Sequence, residues 1–148
     1  MENELQEFLL KKNFKKIKLK LTKTNHFEIK ANINGVKGLF ILDTGASSSC
    51  VGLDDAKLFN LNVKDSDIKA AGAGATNMAT QTASNNTIKI GKWKKNRTTL
   101  VLFDLIHVNT ALTMHNAQPV NGIIGADILK KGKAIIDYNK KYLYLKPI

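Results

Sequence analysis

The sequence predicts a single all-β domain, and three observations carry that prediction. Apolar and polar residues alternate with a period of two over Lys15 to Leu21 and again over Phe27 to Ile33. Turn signals punctuate the chain at short intervals, at Asn34-Gly35, Gly91-Lys92 and Asn139-Lys140, as they do between the strands of a barrel or sandwich. The 148 residues are 43% hydrophobic and 24% charged, with no internal repeat and no linker, which suits one packed core.

The first element is the exception to the β pattern. Glu2 to Lys12 reads as a helix, with Leu5, Phe8 and Leu9 on one stripe, acids at its start and Lys11 and Lys12 at its end. Residues 1–13 are taken as a helical extension packed on a main domain of residues 14–148. Lys15 to Leu21 and Phe27 to Ile33 then read as half-buried strands, and Asn34-Gly35 as a hairpin turn, since both residues accept positive φ. Val36 to Leu42 ends in a nearly continuous apolar run, as a strand buried on both faces does, and leads into Asp43-Thr44-Gly45-Ala46-Ser47. Leu53 to Phe59 suits one or two helical turns. Ala70 to Thr76 consists of small residues that no core could use for packing. Met78 to Ala83, Thr87 to Ile90 and Thr98 to Phe103 read as three strands, and Val108 to His115 as a short helix. Ile123-Ile124-Gly125 precedes a brief helix over Ala126 to Lys131, and Lys133 to Tyr138 with Lys141 to Leu145 forms a closing hairpin.

The net charge is +11, yet Arg97 is the only arginine, which leaves 22 lysines. Many of these alternate with apolar residues, as in Lys16-Ile17-Lys18-Leu19-Lys20, the pattern of a solvated strand face, so a nucleic-acid partner is not expected. Cys50 is the single cysteine, which excludes an internal disulfide and a multi-cysteine metal site; a buried, inert thiol is expected there. His26, His107 and His115 lack metal-ligand spacing, so no metal is expected. Trp93, flanked by Lys92, Lys94 and Lys95, reads as a rim aromatic under lysine stems. Met1 to Lys20 has no secretory h-region and Leu39 to Leu42 is too short to span a bilayer, so a soluble cytoplasmic chain without a membrane partner is expected.

Asp43 stands out on the residues alone. A carboxylate at the end of a doubly apolar strand costs several kcal/mol on burial unless it is hydrogen-bonded or shares a proton. Two readings stay open at this point: a turn or cap aspartate, and a functional acid.

Leu39-Phe40-Ile41-Leu42-Asp43-Thr44-Gly45-Ala46-Ser47 resembles the active-site strand and loop of retropepsin-like aspartic proteases, nearer the single-domain bacterial or cellular type than the viral one. Ile123-Ile124-Gly125-Ala126-Asp127-Ile128-Leu129 resembles the family's second signature. Between them, Ala71-Gly72-Ala73-Gly74 resembles the tip of the substrate-binding flap. The resemblance implies an all-β, retropepsin-like closed β-barrel with a flap hairpin and one short helix after the Ile-Ile-Gly motif. It implies an aspartic endopeptidase without cofactor or metal, acting on peptide or protein substrates as a homodimer. Asp43 would be catalytic, with Thr44 bonding across the two-fold axis and Gly45 approaching the substrate backbone. Ala46 stands where pepsin-like enzymes usually carry a hydroxyl. Ile123, Ile124 and Gly125 would brace the loop. No second Asp-Thr-Gly or Asp-Ser-Gly exists, because Asp104 precedes Leu, Asp127 precedes Ile and Asp137 precedes Tyr, so one chain carries half a dyad. The alternative is a catalytically silent or restricted peptide-binding or dimerisation module of the same fold.

Overall fold

The alternating segments do become strands. The computed structural model describes residues 3–72 and 75–148, the side chains of 66–72 and 75–79 excepted. Helix α1 spans Glu4–Lys11. Strands β1 (Lys15–Lys18), β2 (Lys20–Leu21), β3 (Phe27–Ile33) and β4 (Val36–Leu42) follow. A short β5 (Cys50–Gly52) precedes one 3₁₀ turn at Leu53–Asp55. Then come β6 (Val63–Gly72), β7 (Ala75–Ile90) and β8 (Trp93–Phe103). The chain ends with α2 (Ile106–Met114), β9 (Gly122–Ile124), α3 (Ala126–Lys131), β10 (Ile135–Asp137) and β11 (Tyr142–Leu145).

The main sheet runs β2-β3-β4-β9-β5-β8-β7-β6, and β7 also pairs with β3 through Asn32↔Lys89 and Ile33↔Ile88. That extra pairing closes β3, β4, β9, β5, β8 and β7 into a six-stranded barrel, so these strands need no protected edge. A second sheet, β1-β11-β10, lies beside it. The turn joining β3 to β4 places Asn34 at φ 51° and Gly35 at φ 84°, as its sequence requires.

Two apolar clusters share the barrel wall. Phe40, Leu42, Ile88, Ile90, Leu100 and Leu102 belong to one, with Phe59 and Trp93. Ile41, Cys50, Val101, Phe103 and Ile123 belong to the other, which also takes Leu112 of α2. Successive residues of β4 thus serve different clusters, and this is why its sequence reads as a continuous apolar run.

Several expectations are corrected. The α1 stripe is not buried: Leu9 is, but Leu5 and Phe8 are 44% and 58% exposed. The chain reverses at Asn13 (φ 68°) with the Phe14 N–H on the Leu9 carbonyl, and Lys16 Nζ of β1 donates to Gln6 Oε1 of the helix. Lys15 to Leu21 is two strands, because the buried Leu19 donates its N–H to the Lys141 carbonyl while the chain passes from one sheet to the other. Met78 to Ala83 and Thr87 to Ile90 are one strand. The interruption is a bulge in which Asn85 takes φ 64° and the buried Asn86 amide donates to the Ala83 and Thr98 carbonyls. Trp93 is wholly buried rather than at a rim, with Nε1–H donating to the Lys146 carbonyl at 3.0 Å. Among the described residues no helix is long and apolar enough to cross a membrane.

Candidate functional site

Asp43 is set in place by backbone pairing. β4 runs parallel to β9 in the register Phe40↔Gly122, Ile41↔Ile123 and Leu42↔Ile124. The ladder continues one residue further, where the Asp43 N–H donates to the Ile124 carbonyl at 2.9 Å. The chain then turns tightly: the Ala46 N–H donates to the Asp43 carbonyl at 3.2 Å and the Gly45 N–H to Asp43 Oδ1 at 2.9 Å. Asp43 is half-buried, Thr44 and Gly45 are exposed, and Ala46 is buried in the cluster of Ile41, Cys50 and Ile123. A Cβ on Gly45 would lie 3.3 Å from Asp43 Oδ1, a tight contact with the carboxylate.

The loop rests on the start of α3. The Ala126 N–H donates to the Ala46 carbonyl at 2.7 Å, and a Cβ on Gly125 would stand 2.6 Å from that same oxygen. Only glycine allows so close an approach. The Gly125 N–H donates to Ser49 Oγ at 2.8 Å, and Ser49 Oγ donates in turn to Asp127 Oδ1 at 2.7 Å. That oxygen also accepts the N–H groups of Ser49 (2.9 Å) and Ile128 (2.8 Å). Ser49 and Asp127 were not singled out as site residues from the sequence. An acid in the first turn of a helix is a readable signal, but its partner lies 78 residues away.

Ile123 and Ile124 are both buried, and each touches the site in its own way. Ile124 supplies the carbonyl under Asp43, and Ile123 lines the cleft into which Asp43 opens. That open cleft, of about 940 Å³, has Ile41 and Ile123 on its floor and walls from the Lys23–His26 turn and from α2 with the adjoining His115. Thr44 instead borders a separate hollow with Ala126, Leu129 and Ile136. Of the expected flap residues, Ala71 and Gly72 end β6, which pairs with β7 as far as Gly72↔Ala75; Ala73 and Gly74 lie outside the described residues.

The nearby thiol is not available as a nucleophile. Burial pushes Cys50 up to about 12, and the charges of Asp127 and Asp43 add to the rise against a hydrogen bond with the Ile123 backbone.

The family described as aspartyl protease matches residues 29–128, roughly two thirds of the chain, from within β3 to the first half of α3. Among solved structures, a retropepsin-like aspartic protease from Rickettsia conorii is similar at 25% identity and a TM-score of 0.60, over 89% of this chain and 90% of that one. The EIAV protease, solved with the inhibitor HBY-793, is similar in fold at 19% identity and a TM-score of 0.57, over 80% of this chain and 98% of that one. So is the retroviral protease-like domain of Ddi1 from Leishmania major, at 17% identity and a TM-score of 0.53, over 82% of this chain and 88% of that one. No curated protein sequence matches the chain.

Proposed function

The chain belongs to the aspartyl protease family, and on that premise we propose that it is an endopeptidase working as a homodimer with one Asp43 from each subunit. One observation carries the reading. Asp43 projects from a braced turn into an open cleft, while the other carboxylate touching this loop, Asp127, is committed to Ser49 and Ile128. Among the described residues lining the cleft Asp43 is the only carboxylate, and the chemistry needs two, which supports a second Asp43 from a partner subunit.

Two carboxylates a few Å apart cannot both ionise and so share one proton. The ionised partner takes a proton from a water as its oxygen attacks the scissile carbonyl carbon. The protonated partner gives its proton to the carbonyl oxygen, so the tetrahedral intermediate is a neutral gem-diol. Collapse returns a proton from that diol to one carboxylate while the leaving nitrogen takes one from the other, and the C–N bond breaks. The dyad then again holds one proton. Thr44, exposed beside Asp43, is suited to bond across the two-fold axis, and Gly45 leaves room for the substrate backbone. Residues 71–74 would cover a peptide bound in extended form as an added strand.

The test is cleavage of an unstructured protein substrate by purified chain, its block by a statine-type transition-state analogue, and its loss in Asp43→Asn. A folded, peptide-binding protein with no cleavage under any condition would favour the silent binding module instead.

A further inference from the structure

The cleft that holds Asp43 collects an unusual set of side chains. All three histidines of the protein, His26, His107 and His115, line it, together with Lys23. They come from two elements far apart in sequence, the turn before β3 and the α2 region, and all four are exposed. The floor between them is apolar, from Ile41 and Ile123. Among the described lining residues Asp43 is the only carboxylate, set against the Lys23 ammonium and three imidazoles. The Nδ1 atom of His26 is held by Thr24 Oγ1 at 2.8 Å, which fixes the ring and leaves Nε2 for a ligand. A metal is not the natural occupant, since among the described residues no three His, Cys, Asp or Glu side chains form a metal-binding group.

We infer that this rim selects substrates bearing a carboxylate side chain, Asp or Glu, within a few residues of the bond that Asp43 attacks. The inference rests on the protease reading and names its substrate class. An extended peptide advances about 3.3 Å per residue, and the cleft is of a size that takes a short stretch of one. An apolar side chain would cover Ile41 and Ile123 while a neighbouring carboxylate accepts N–H groups from the imidazoles and the Lys23 ammonium. Such charge-assisted bonds are stronger than neutral ones and would be partly shielded from water in the cleft.

The test uses the full chain and two fluorescent peptides that differ only in Glu against Gln near an apolar pair. Binding is read by anisotropy on both wild type and Asp43→Asn, and cleavage on wild type. The Glu peptide is expected to bind about tenfold or more tightly, as one charged hydrogen bond allows. That preference should shrink to about twofold or less in a chain carrying Lys23→Met, His26→Ala, His107→Ala and His115→Ala, whose folding is checked by circular dichroism. Equal binding of the two peptides by wild type would overturn the inference, and so would a preference that survives in the fourfold variant. Preferred binding of the Glu peptide with no cleavage of either would support the inference and overturn the protease reading. Cleavage of both peptides at equal efficiency and equal affinity would do the reverse.

Discussion

Asp43 Oδ1 accepts the Gly45 N–H, and an amide oxygen of the same shape can still accept that bond. Asp43→Asn should therefore keep the melting temperature of the wild type. Its cleavage rate should fall by about 10³-fold or more, because a carboxamide cannot take a proton from water. Turnover near the wild-type rate would remove Asp43 from the mechanism. Ser49 bridges the loop to α3 from a fully buried position. Ser49→Ala would strand the Gly125 N–H and take a donor from Asp127, so urea unfolding should register a loss of about 1–3 kcal/mol. Cys50 gives a pH signature. Its thiol is raised from 9.0 to about 12 in the folded chain, so between those values the unfolded state gives up a proton that the folded state keeps. The stability contributed by the neutral thiol is complete below pH 9.0 and is lost as the pH climbs toward about 12. Wild type should accordingly lose stability relative to Cys50→Ala by up to about 1.4 kcal/mol per pH unit above pH 9. Parallel urea midpoints for the two proteins at pH 8 and pH 10.5 would contradict this.

The elements divide by how local their cause is. Phe27–Ile33, Asn34-Gly35 and Val36–Leu42 were legible because alternation, turn chemistry and double burial are each written within a few residues. α3 was equally plain, over the same Ala126 to Lys131. β5 was not read, since three residues are too few to show a period. β6 was missed because Val63-Lys64-Asp65-Ser66-Asp67-Ile68 has no steady alternation; partnership with β7 makes it a strand. The positions of Asp43, Gly45 and Gly125 in the site could be inferred from motifs, whereas Ser49, Asp127 and the histidine-lined wall depend on contacts between distant segments. β9 is the element on which the site depends most, paired with β4 on one side and β5 on the other. A Cβ on Gly122 would stand 2.0 Å from the Cys50 carbonyl and 2.9 Å from the Phe40 ring. Gly122→Ala should therefore cost about 3 kcal/mol or more, or prevent folding, since both obstacles are fixed in the barrel wall. A variant with wild-type thermal stability would mean that β9 does not pass so close to β5.

At the scale of the molecule, the barrel closes within one chain, while the proposed dyad does not. Each subunit would present the Asp43 turn, with Thr44 and Gly45 exposed beside it, to a copy of itself. The proposed half-site rests on the single Asp-Thr-Gly motif in the sequence and on the engagement of Asp127, on α3, with Ser49. The mixed dimer is the direct test. Wild-type chain at fixed concentration is allowed to exchange with about a ninefold excess of Asp43→Asn, exchange being followed by energy transfer between labelled chains. Random pairing leaves about one tenth of the wild-type chains in fully wild-type dimers, so cleavage should fall to about one tenth of the unmixed control. Complete exchange with undiminished cleavage would place the whole working site within one chain and contradict the shared dyad.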